Sequence, residues 1–311
     1  MTRYKRTERY PIEKSALYNC QSKKRLAEIF NTSFSEISMV LDSIEYTFKE
    51  IPKKNSLEMR QISIPNKALA KVQRAIFAFL KRVERPCWLI SSEAGKSYVD
   101  NAKFHKENKF VLTVDIEKFY DNCQREYVYR FFKERMKCAP DIAKILTDLT
   151  TYNGGVPTGT STSQLIAYYA YETMFKEIQA LAESKGLLFS LYVDDMTFSC
   201  KNDFGHSAFL NKVNCILKNF GHKVKSRKVR YYTANDVKVI TGAILMPDGS
   251  ICTPNSLRKS IIQTNKALIT SNYSDKKLTE KLLGYLYAAR QIEPNLFTSI
   301  FINTKKALKS A

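Results

Sequence analysis

The chain has 311 residues, and its hydrophobic content of 44% excludes an intrinsically disordered protein and suffices for two or three subdomains around a substantial core. Its 50 Lys and Arg residues outnumber 30 Asp and Glu residues. The resulting net charge of +20 predicts a polyanionic partner, with a basic protein that merely stays in solution as the alternative. No stretch approaches the roughly 18 to 20 apolar residues of a membrane-spanning helix, so nucleic acid is favoured over a membrane.

The cysteines and histidines argue against a metal-thiolate centre. The chain has seven cysteines and three histidines, and no two cysteines form a Cys-x-x-Cys pair, so we expect no zinc site. The first residues, MTRYKRTERYPIEKS, are charged and lack an apolar core, so we expect no secretion signal. Together with the odd number of cysteines, this predicts reduced thiols and a cytoplasmic location.

The first third of the chain is predicted to be mostly helical. The segment SKKRLAEIFNTSFSEISMVLDSI has apolar residues at near-helical spacing, and ALAKVQRAIFAFLKRV has the pattern of an amphipathic helix. Between them, MRQISIPN alternates apolar and polar residues and stops at Pro65, which predicts a short strand.

The middle of the chain is predicted to alternate strands and helices. KFVLTVDIEKFY indicates an interior strand from Phe110 to about Ile116, because both of its faces are apolar. A helical stretch is expected from about Glu126 to Thr150, followed by the Gly- and Pro-rich loop YNGGVPTGT and a helix that stops near Gly186. LLFSLYVDDMTFSC predicts a strand, a tight turn and a second strand.

The last part of the chain is predicted to contain a helix from His206 to Phe220 that ends at Gly221. VKVITGAILMPDGSI indicates a β-hairpin that turns at Pro247 to Gly249, and the remainder is helical and rich in lysine. Irregular alternation with antiparallel hairpins in the second half predicts an α+β fold, in which helices back an antiparallel sheet.

Three aspartates stand at the ends of otherwise apolar strands. Asp194 and Asp195 fall in the predicted turn YVDD, and Asp115 ends the strand FVLTVD. Carboxylates buried near one another are costly unless a cation neutralises them. Mg²⁺ prefers oxygen ligands, and two such ions can stabilise the attacking and leaving oxygens of phosphoryl transfer. We therefore predict a magnesium site that holds a nucleoside triphosphate. The alternative is that Asp194 and Asp195 only make a solvent-exposed turn.

Several sequence blocks occur in the order in which reverse transcriptases have them. VDIEKFYD and YVDD resemble their palm motifs, RQISIPNKALAKVQRAI resembles a fingers block, GGVPTGTSTS resembles the block that usually reads Pro-Gln-Gly, and HKVKSRKVRYY resembles a later lysine-bearing block. NAKFH matches the Asn-Ala-x-x-His signature of retron reverse transcriptases, and ITG stands where that group usually has Val-Thr-Gly. The chain therefore resembles a retron-type reverse transcriptase over nearly its whole length.

The resemblance implies a right-hand fold, with N-terminal helices and fingers in residues 1–107, the palm in residues 108–250 and a helical, RNA-binding thumb in residues 251–311. It implies an RNA-directed DNA polymerase that copies a dedicated structured non-coding RNA into a branched RNA–DNA hybrid called msDNA, primed from an RNA 2′-OH. The implied cofactors are two Mg²⁺ ions. The implied partners are deoxynucleoside triphosphates, host RNase H and an effector protein of a bacterial anti-phage defence system.

Two alternatives to this function are considered. One is a catalytically inactive RNA-binding scaffold of the same fold, which three buried carboxylates disfavour because a scaffold has no use for them. The other is a reverse transcriptase similar to those of group II introns, which the compact length and NAKFH disfavour.

The resemblance also implies the catalytic residues. Asp115 and Asp194 would be the main metal ligands, assisted by Asp195 and by the backbone carbonyl of Ile116. Tyr120 stands where the family has an aromatic residue that packs under the sugar and excludes a 2′-OH. The alternative for Tyr120 is a tyrosine of the core.

Three further positions are implied to bind the nucleotide. Arg60 would reach the triphosphate from the fingers, with a solvated charge as the alternative. Gly159 would contribute backbone groups. Lys228 is the best candidate for the late lysine of the family, and Lys225 and Arg227 compete for that role.

The retron signatures supply Asn101, His105, Thr241 and Gly242. We expect Asn101 and His105 to organise the retron-specific region or its RNA, and the alternative is a helical i, i+4 pair that caps local backbone. The chain also departs from the family pattern, because Thr158 replaces the usual Gln, Gln164 a usual Pro and Tyr168 a frequent Asn. These departures put the nucleotide or template contact of the usual amide in doubt.

Overall fold

The computed structural model describes residues 8–52, 59–271 and 273–310. Residues 1–7, which enter the expectation that the chain has no secretion signal, lie outside this part. No helix among the described residues is long and apolar enough to cross a membrane.

The described residues form twelve α-helices and nine β-strands. The helices are α1 (Lys23–Phe30), α2 (Phe34–Asp42), α3 (Lys67–Leu80), α4 (Tyr98–Phe104), α5 (Arg125–Arg130), α6 (Pro140–Thr150), α7 (Ser163–Ala170), α8 (Glu172–Glu183), α9 (His206–Asn219), α10 (Asn255–Thr270), α11 (Lys276–Ile292) and α12 (Thr298–Ser310). The strands are β1 (Tyr46–Pro52), β2 (Met59–Pro65), β3 (Phe110–Asp115), β4 (Leu188–Tyr192), β5 (Asp195–Cys200), β6 (Arg230–Tyr232), β7 (Lys238–Ile240), β8 (Ala243–Leu245) and β9 (Ile251–Cys252).

The chain divides into two compact units. The first comprises the residues up to Ala94, Asp115–Leu181 and Ser207–Ser226. The second comprises Gly95–Val114, Ala182–His206 and the residues from Arg227 onward. The sequence-based boundaries of fingers, palm and thumb stay a prediction.

The first unit contains the β1–β2 hairpin and most of the helices. The two strands pair antiparallel from Tyr46↔Pro65 to Pro52↔Met59. The sequence predicted β2 but missed β1, in which only Tyr46 is buried. Because β1 is exposed along most of its length, it lacks the apolar alternation that marks a half-buried strand.

The stretch predicted to be helical from about Glu126 to Thr150 consists of more than one helix. The structure has α5, a π-helical turn from Phe131 to Arg135, and then α6, which begins at Pro140. Proline lacks an amide hydrogen and suits the first turn of a helix but not its interior. Lys137 also has a positive φ of 56°, which interrupts helical geometry just before α6 begins.

The second unit contains a four-stranded sheet in the order β4-β5-β3-β6. β4 pairs antiparallel with β5, and β3 pairs antiparallel with β6. The Lys109 amide donates to the Cys200 carbonyl at 3.1 Å, and this bond joins the start of β3 to the end of β5. The neighbouring strands β3 and β5 therefore also run antiparallel, as the sequence predicts for this sheet.

A second sheet, β7-β8-β9, corrects the hairpin predicted from VKVITGAILMPDGSI. The chain turns at Pro247 to Gly249 as predicted, but it also turns earlier, at Thr241 and Gly242. These two residues have φ values of 47° and 96°. Positive φ at both central residues suits a two-residue hairpin loop, and glycine adopts it without strain. The predicted first strand is therefore split into β7 and β8.

The C-terminal helices α10 to α12 pack around an apolar cluster of their own. The buried members of this cluster are Leu257, Ile261, Leu268, Leu282, Leu286 and Ala289. Their spacing places one apolar face of α10 against one face of α11, as the helical prediction for this part of the chain requires.

Candidate active site

Each of the predicted carboxylates lies at the end of a strand or next to one. Asp115 is the last residue of β3 and is only 7% exposed, and Asp195 is the first residue of β5 and is half-buried. Asp194 lies in the loop between β4 and β5 and is half-buried. Asp115 belongs to the first unit, and the YVDD turn belongs to the second.

The YVDD turn is tight and strained. Tyr192 pairs with Asp195, which leaves Val193 and Asp194 as a two-residue loop. Val193 has a φ of 63°, in the left-handed region that a β-branched residue rarely adopts. Such backbone strain persists only where the surrounding structure enforces it, and it is concentrated at functional sites.

The segment that follows β3 is fixed by backbone contacts within the first unit. The Lys225 amide donates to the Asp115 carbonyl at 2.8 Å, and the Glu117 amide donates to the Lys223 carbonyl at 2.9 Å. Ile116 forms an isolated antiparallel bridge with Val224. The backbone of Lys225 therefore lies beside Asp115, whereas Arg227 and Lys228 are exposed in the short 3-10 turn that follows.

The oxygen donors suit a hard cation. Among residues 8–52, 59–271 and 273–310, no three His, Cys, Asp or Glu side chains are arranged as a group that could hold a metal ion. Mg²⁺ is commonly bound through one or two carboxylates, with substrate phosphates and water completing its coordination. The carboxylates of Asp115, Asp194 and Asp195 and the carbonyl of Ile116 have the chemistry that this mode of binding needs.

Tyr120 begins a 3-10 turn and is half-buried. Its ring centroid lies 5.5 Å from that of Phe119, which itself packs against Tyr171 at 6.3 Å and His222 at 5.2 Å. Tyr120 thus rests on an aromatic base while part of its surface stays accessible. This placement is compatible with both the sugar contact and the core position considered above.

The loop that bears Thr158 is bound to strand β2. The Ser63 amide donates to the Thr158 carbonyl at 2.7 Å, and the Thr158 hydroxyl donates to the Gln61 carbonyl at 2.7 Å. Arg60 is exposed and precedes Gln61 on the same strand. Thr158, whose replacement of the usual Gln left its role in doubt, therefore joins the loop to the strand that carries Arg60.

Gly159 is a position that requires glycine. Its φ is 97°, and a Cβ there would collide with the side chain of Ile62 and lie 3.3 Å from the Ser63 carbonyl. The backbone of this loop therefore approaches β2 more closely than any other residue type would permit.

Gln164 and Tyr168, the other two residues that depart from the family pattern, differ in their burial. Tyr168 is buried in α7 and packs against Trp88 and Phe175, with ring centroids 6.1 and 6.2 Å away. This burial raises its pKa above the ordinary range of a tyrosine. Gln164 lies half-buried in the first turn of α7. Tyr168 is thus a residue of the core.

The retron signature residues are distributed between the interior and a turn. Asn101 and His105 are fully buried, whereas Gly242 is exposed at the turn between β7 and β8. His105 contacts two serines that sequence reasoning did not select, Ser190 in β4 and Ser199 in β5. The available signal was the presence of small hydroxyl residues within the otherwise apolar segment LLFSLYVDDMTFSC.

Polymerases are among the enzymes that use two metal ions for phosphoryl transfer, and carboxylates commonly bind Mg²⁺. Residues 51–285 match the family of reverse transcriptases (RNA-dependent DNA polymerase), and the chain belongs to this family. The match confirms the predicted family. Together with the observed helices and antiparallel sheets, it also confirms the predicted α+β polymerase fold.

Its curated relatives include several retron enzymes. The chain is 28% identical to the Retron Se72 reverse transcriptase of Salmonella heidelberg (strain 579083-10), over 57% of this chain and 48% of that protein. It is 27% identical to the Retron Ec48 reverse transcriptase of Escherichia coli, over 67% of this chain and 55% of that protein. The chain thus spans about half the length of these two relatives. The predicted resemblance to the retron group is confirmed.

Another curated relative and one solved structure are also similar to the chain. The Retron Ec83 reverse transcriptase of Escherichia coli is 23% identical over 80% of this chain and 83% of that protein. Among solved structures, telomerase from Candida albicans in complex with a fragment of telomeric RNA aligns with a TM-score of 0.49 and 13% identity, over 91% of this chain and 59% of that one.

Proposed function

We propose that the chain is an active RNA-directed DNA polymerase of the retron type. The observation that carries this proposal is the match of residues 51–285 to the reverse transcriptase family, in a chain where Asp115 ends β3 and the YVDD motif makes a two-residue turn between β4 and β5. In the reaction, the 3′ hydroxyl oxygen of the growing strand forms a bond to the α-phosphorus of a deoxynucleoside triphosphate. The bond from that phosphorus to pyrophosphate breaks, and the hydroxyl proton passes to solvent.

Four residues are proposed to hold two Mg²⁺ ions. Asp115 and Asp194 would supply the main carboxylate oxygens, Asp195 would assist, and the backbone carbonyl of Ile116 would complete the set. When bound, the ions stabilise negative charge on the attacking and leaving oxygens. The burial of Asp115 and the shortness of the two-residue loop support this assignment, because ligands held in place need little reorganisation on binding.

Four more residues are proposed to bind the incoming nucleotide. Arg60, on the strand that Thr158 binds, would contact the triphosphate, and the backbone of Gly159 would approach the nucleotide from the adjoining loop. Tyr120 would pack against the sugar and exclude ribonucleotides. Lys228 remains the candidate for the late lysine, and Lys225 competes with it because its backbone lies beside Asp115.

The proposed template is one dedicated structured RNA. Similarity to several retron reverse transcriptases supports this proposal, as does the net charge of +20, which favours binding to an RNA backbone. The product would be msDNA primed from an RNA 2′-OH, with host RNase H trimming the template and an effector protein completing a defence system.

The test is incorporation of deoxynucleotides by purified protein with its copurifying RNA and Mg²⁺. We expect DNA covalently joined to RNA, and we expect Asp194→Asn to abolish it. Asp42→Asn makes the same change of charge at an exposed helix end and should leave the product unchanged. Full activity of Asp194→Asn would refute the catalytic assignment. No incorporation by the wild-type chain on any primed RNA would favour the inactive scaffold, and copurification of a long intron RNA would favour the group II type.

A further inference from the structure

Helix α4 and His105, the residue that follows it, contact the β4–β5 hairpin through buried polar groups. In the second unit, His105 Nδ1 lies 2.6 Å from Ser199 Oγ, and His105 Nε2 lies 2.7 Å from Ser190 Oγ. His105 and both serines are 0% exposed. Ser190 and Ser199 belong to β4 and β5, the two strands that the YVDD turn connects.

The contacts of Ser190 fix the protonation of the histidine. Its hydroxyl donates to Asn101 Oδ1 at 2.6 Å, so its oxygen accepts a hydrogen bond from His105 Nε2. His105 Nδ1 then carries no proton and accepts from the hydroxyl of Ser199. Asn108 Nδ2 in turn donates to the Ser199 oxygen at 2.7 Å. Burial lowers the pKa of His105 to about 3, so the ring is neutral at neutral pH.

The same series of hydrogen bonds continues beyond the hairpin. Asn101 Nδ2 lies 3.4 Å from Thr241 Oγ1, and the Thr241 hydroxyl donates to the Tyr98 carbonyl at 2.9 Å. Each hydroxyl thus donates once and accepts once, so the series runs in one direction from Asn108 to the first residue of α4. These hydrogen bonds join α4 to the β4–β5 hairpin and to the turn between β7 and β8.

We propose that Asn101 and His105 are positioning residues, which hold the β4–β5 hairpin in one register against α4 and thereby place Asp194 and Asp195 for catalysis. This inference rests on the proposed polymerase function. Apolar side chains could fill the same space, but they can slide past one another, whereas hydrogen bonds of fixed direction specify a single arrangement. Because Asn101 and His105 are 0% exposed, they are not surfaces for binding RNA.

The strained YVDD turn is a reason for the β4–β5 hairpin to be held in a single register. Val193 keeps an unfavourable φ only if the strands on both sides of the loop are held firmly. Ser190 lies two residues before Tyr192, so its bonds to His105 and Asn101 act close to the turn. A misplacement of about 1 Å in a catalytic group can cost about 100-fold in rate. Small shifts of the hairpin should therefore affect turnover more than they affect RNA binding.

The test compares a single variant with a matched triple variant. His105→Phe leaves both serine hydroxyls buried without their histidine partner, whereas His105→Phe combined with Ser190→Ala and Ser199→Ala removes the histidine and both serine hydroxyls together. The triple variant still leaves Asn101 Oδ1 and Asn108 Nδ2 without their serine partners. Removing hydrogen-bonded partners together costs less stability than removing one and leaving the others buried. We expect the triple variant to recover part of the thermal stability that His105→Phe loses, but to keep a kcat for nucleotide incorporation reduced about tenfold or more. Its Kd for RNA should change by no more than about twofold.

Two controls make the outcome decisive. Thr147→Val removes an equally buried hydroxyl that bonds only within α6, and it should leave kcat unchanged. Amide hydrogen exchange across Leu188–Cys200 should become faster in the triple variant, whether or not the chain polymerises DNA. Recovery of kcat together with stability would show that the network only supports folding and would overturn the proposal. RNA affinity that falls as much as kcat would overturn it as well. If the wild-type chain incorporates no nucleotide, the proposed function fails, and unchanged exchange in the triple variant would then refute the positioning role independently.

Discussion

His222 is a buried histidine whose replacement should alter the pH dependence of stability. In the first unit it is 2% exposed, with its ring centroid 5.2 Å from that of Phe119 and 4.5 Å from that of Tyr171. Neither of its ring nitrogens has a hydrogen-bond partner among the described residues. Burial in this aromatic surrounding lowers the pKa of His222 from 6.5 to about 4.

The direction and size of the effect follow from this shift. The unfolded chain takes up a proton at His222 near pH 6.5, whereas the folded chain takes it up only near pH 4. The folded state is therefore fully stable above pH 6.5 and loses stability as the pH falls from 6.5 towards 4. Since one pKa unit corresponds to about 1.4 kcal/mol, the full loss attributable to His222 is about 3 kcal/mol.

The perturbation is His222→Leu, which removes the titrating group and both unpartnered nitrogens. Urea unfolding of the wild type and the variant at several values between pH 7 and pH 4 would measure the difference. We expect the variant to gain stability relative to the wild type as the pH falls, by up to about 3 kcal/mol at pH 4. His105, whose pKa is also lowered, contributes equally to both proteins and cancels. Parallel curves for the two proteins over this range would refute the reasoning.

Two further predictions concern the loop at Thr158 and the basic surface. Thr158→Val removes the bond to Gln61 and should lower the free energy of unfolding by about 1 kcal/mol while raising KM for nucleotides, whereas Thr158→Ser keeps the hydroxyl and should behave as wild type. An unchanged KM in Thr158→Val would show that the bond between Thr158 and Gln61 does not position Arg60 for nucleotide binding. Filter binding at 50 and 200 mM salt should show RNA affinity falling about 10- to 100-fold, because Lys and Arg displace counterions from phosphates. A flat response would contradict phosphate contacts as the main source of affinity.

The hydrophobic periodicity of the sequence correctly predicted the helices and strands that are buried on one face or on all sides. The interior strand β3, the β4–β5 hairpin and the C-terminal helices all have apolar patterns that reflect their surroundings. Strand β1 was missed because its exposed face has no such pattern. The turn at Thr241 was missed because a single Thr-Gly pair inside an apolar segment is a weak signal, although it separates two strands.

The candidate site was predictable where a charge interrupts an apolar segment. Asp115 and Asp194 were selected because a carboxylate beside a buried strand is costly, and that cost can be read from the sequence alone. Ser190 and Ser199 could not be selected in this way. A buried serine is inexpensive once it is paired, and its partner, His105, stands 85 to 94 positions away in the chain. Only the packing of α4 on the hairpin brings these groups together.

The same distinction applies to Thr158, whose role the family pattern left in doubt. The pattern concerns a long amide at this position, and its absence suggested a lost contact with the nucleotide or template. The structure shows a short hydroxyl that bonds to β2 instead, beside a glycine whose backbone approaches that strand closely. A threonine can make this contact because the loop and the strand are already joined by the Ser63 amide. If the loop binds the nucleotide, the replacement therefore shifts binding from a side chain to the backbone of Gly159, whose conformation no other residue type can adopt without displacing Ile62.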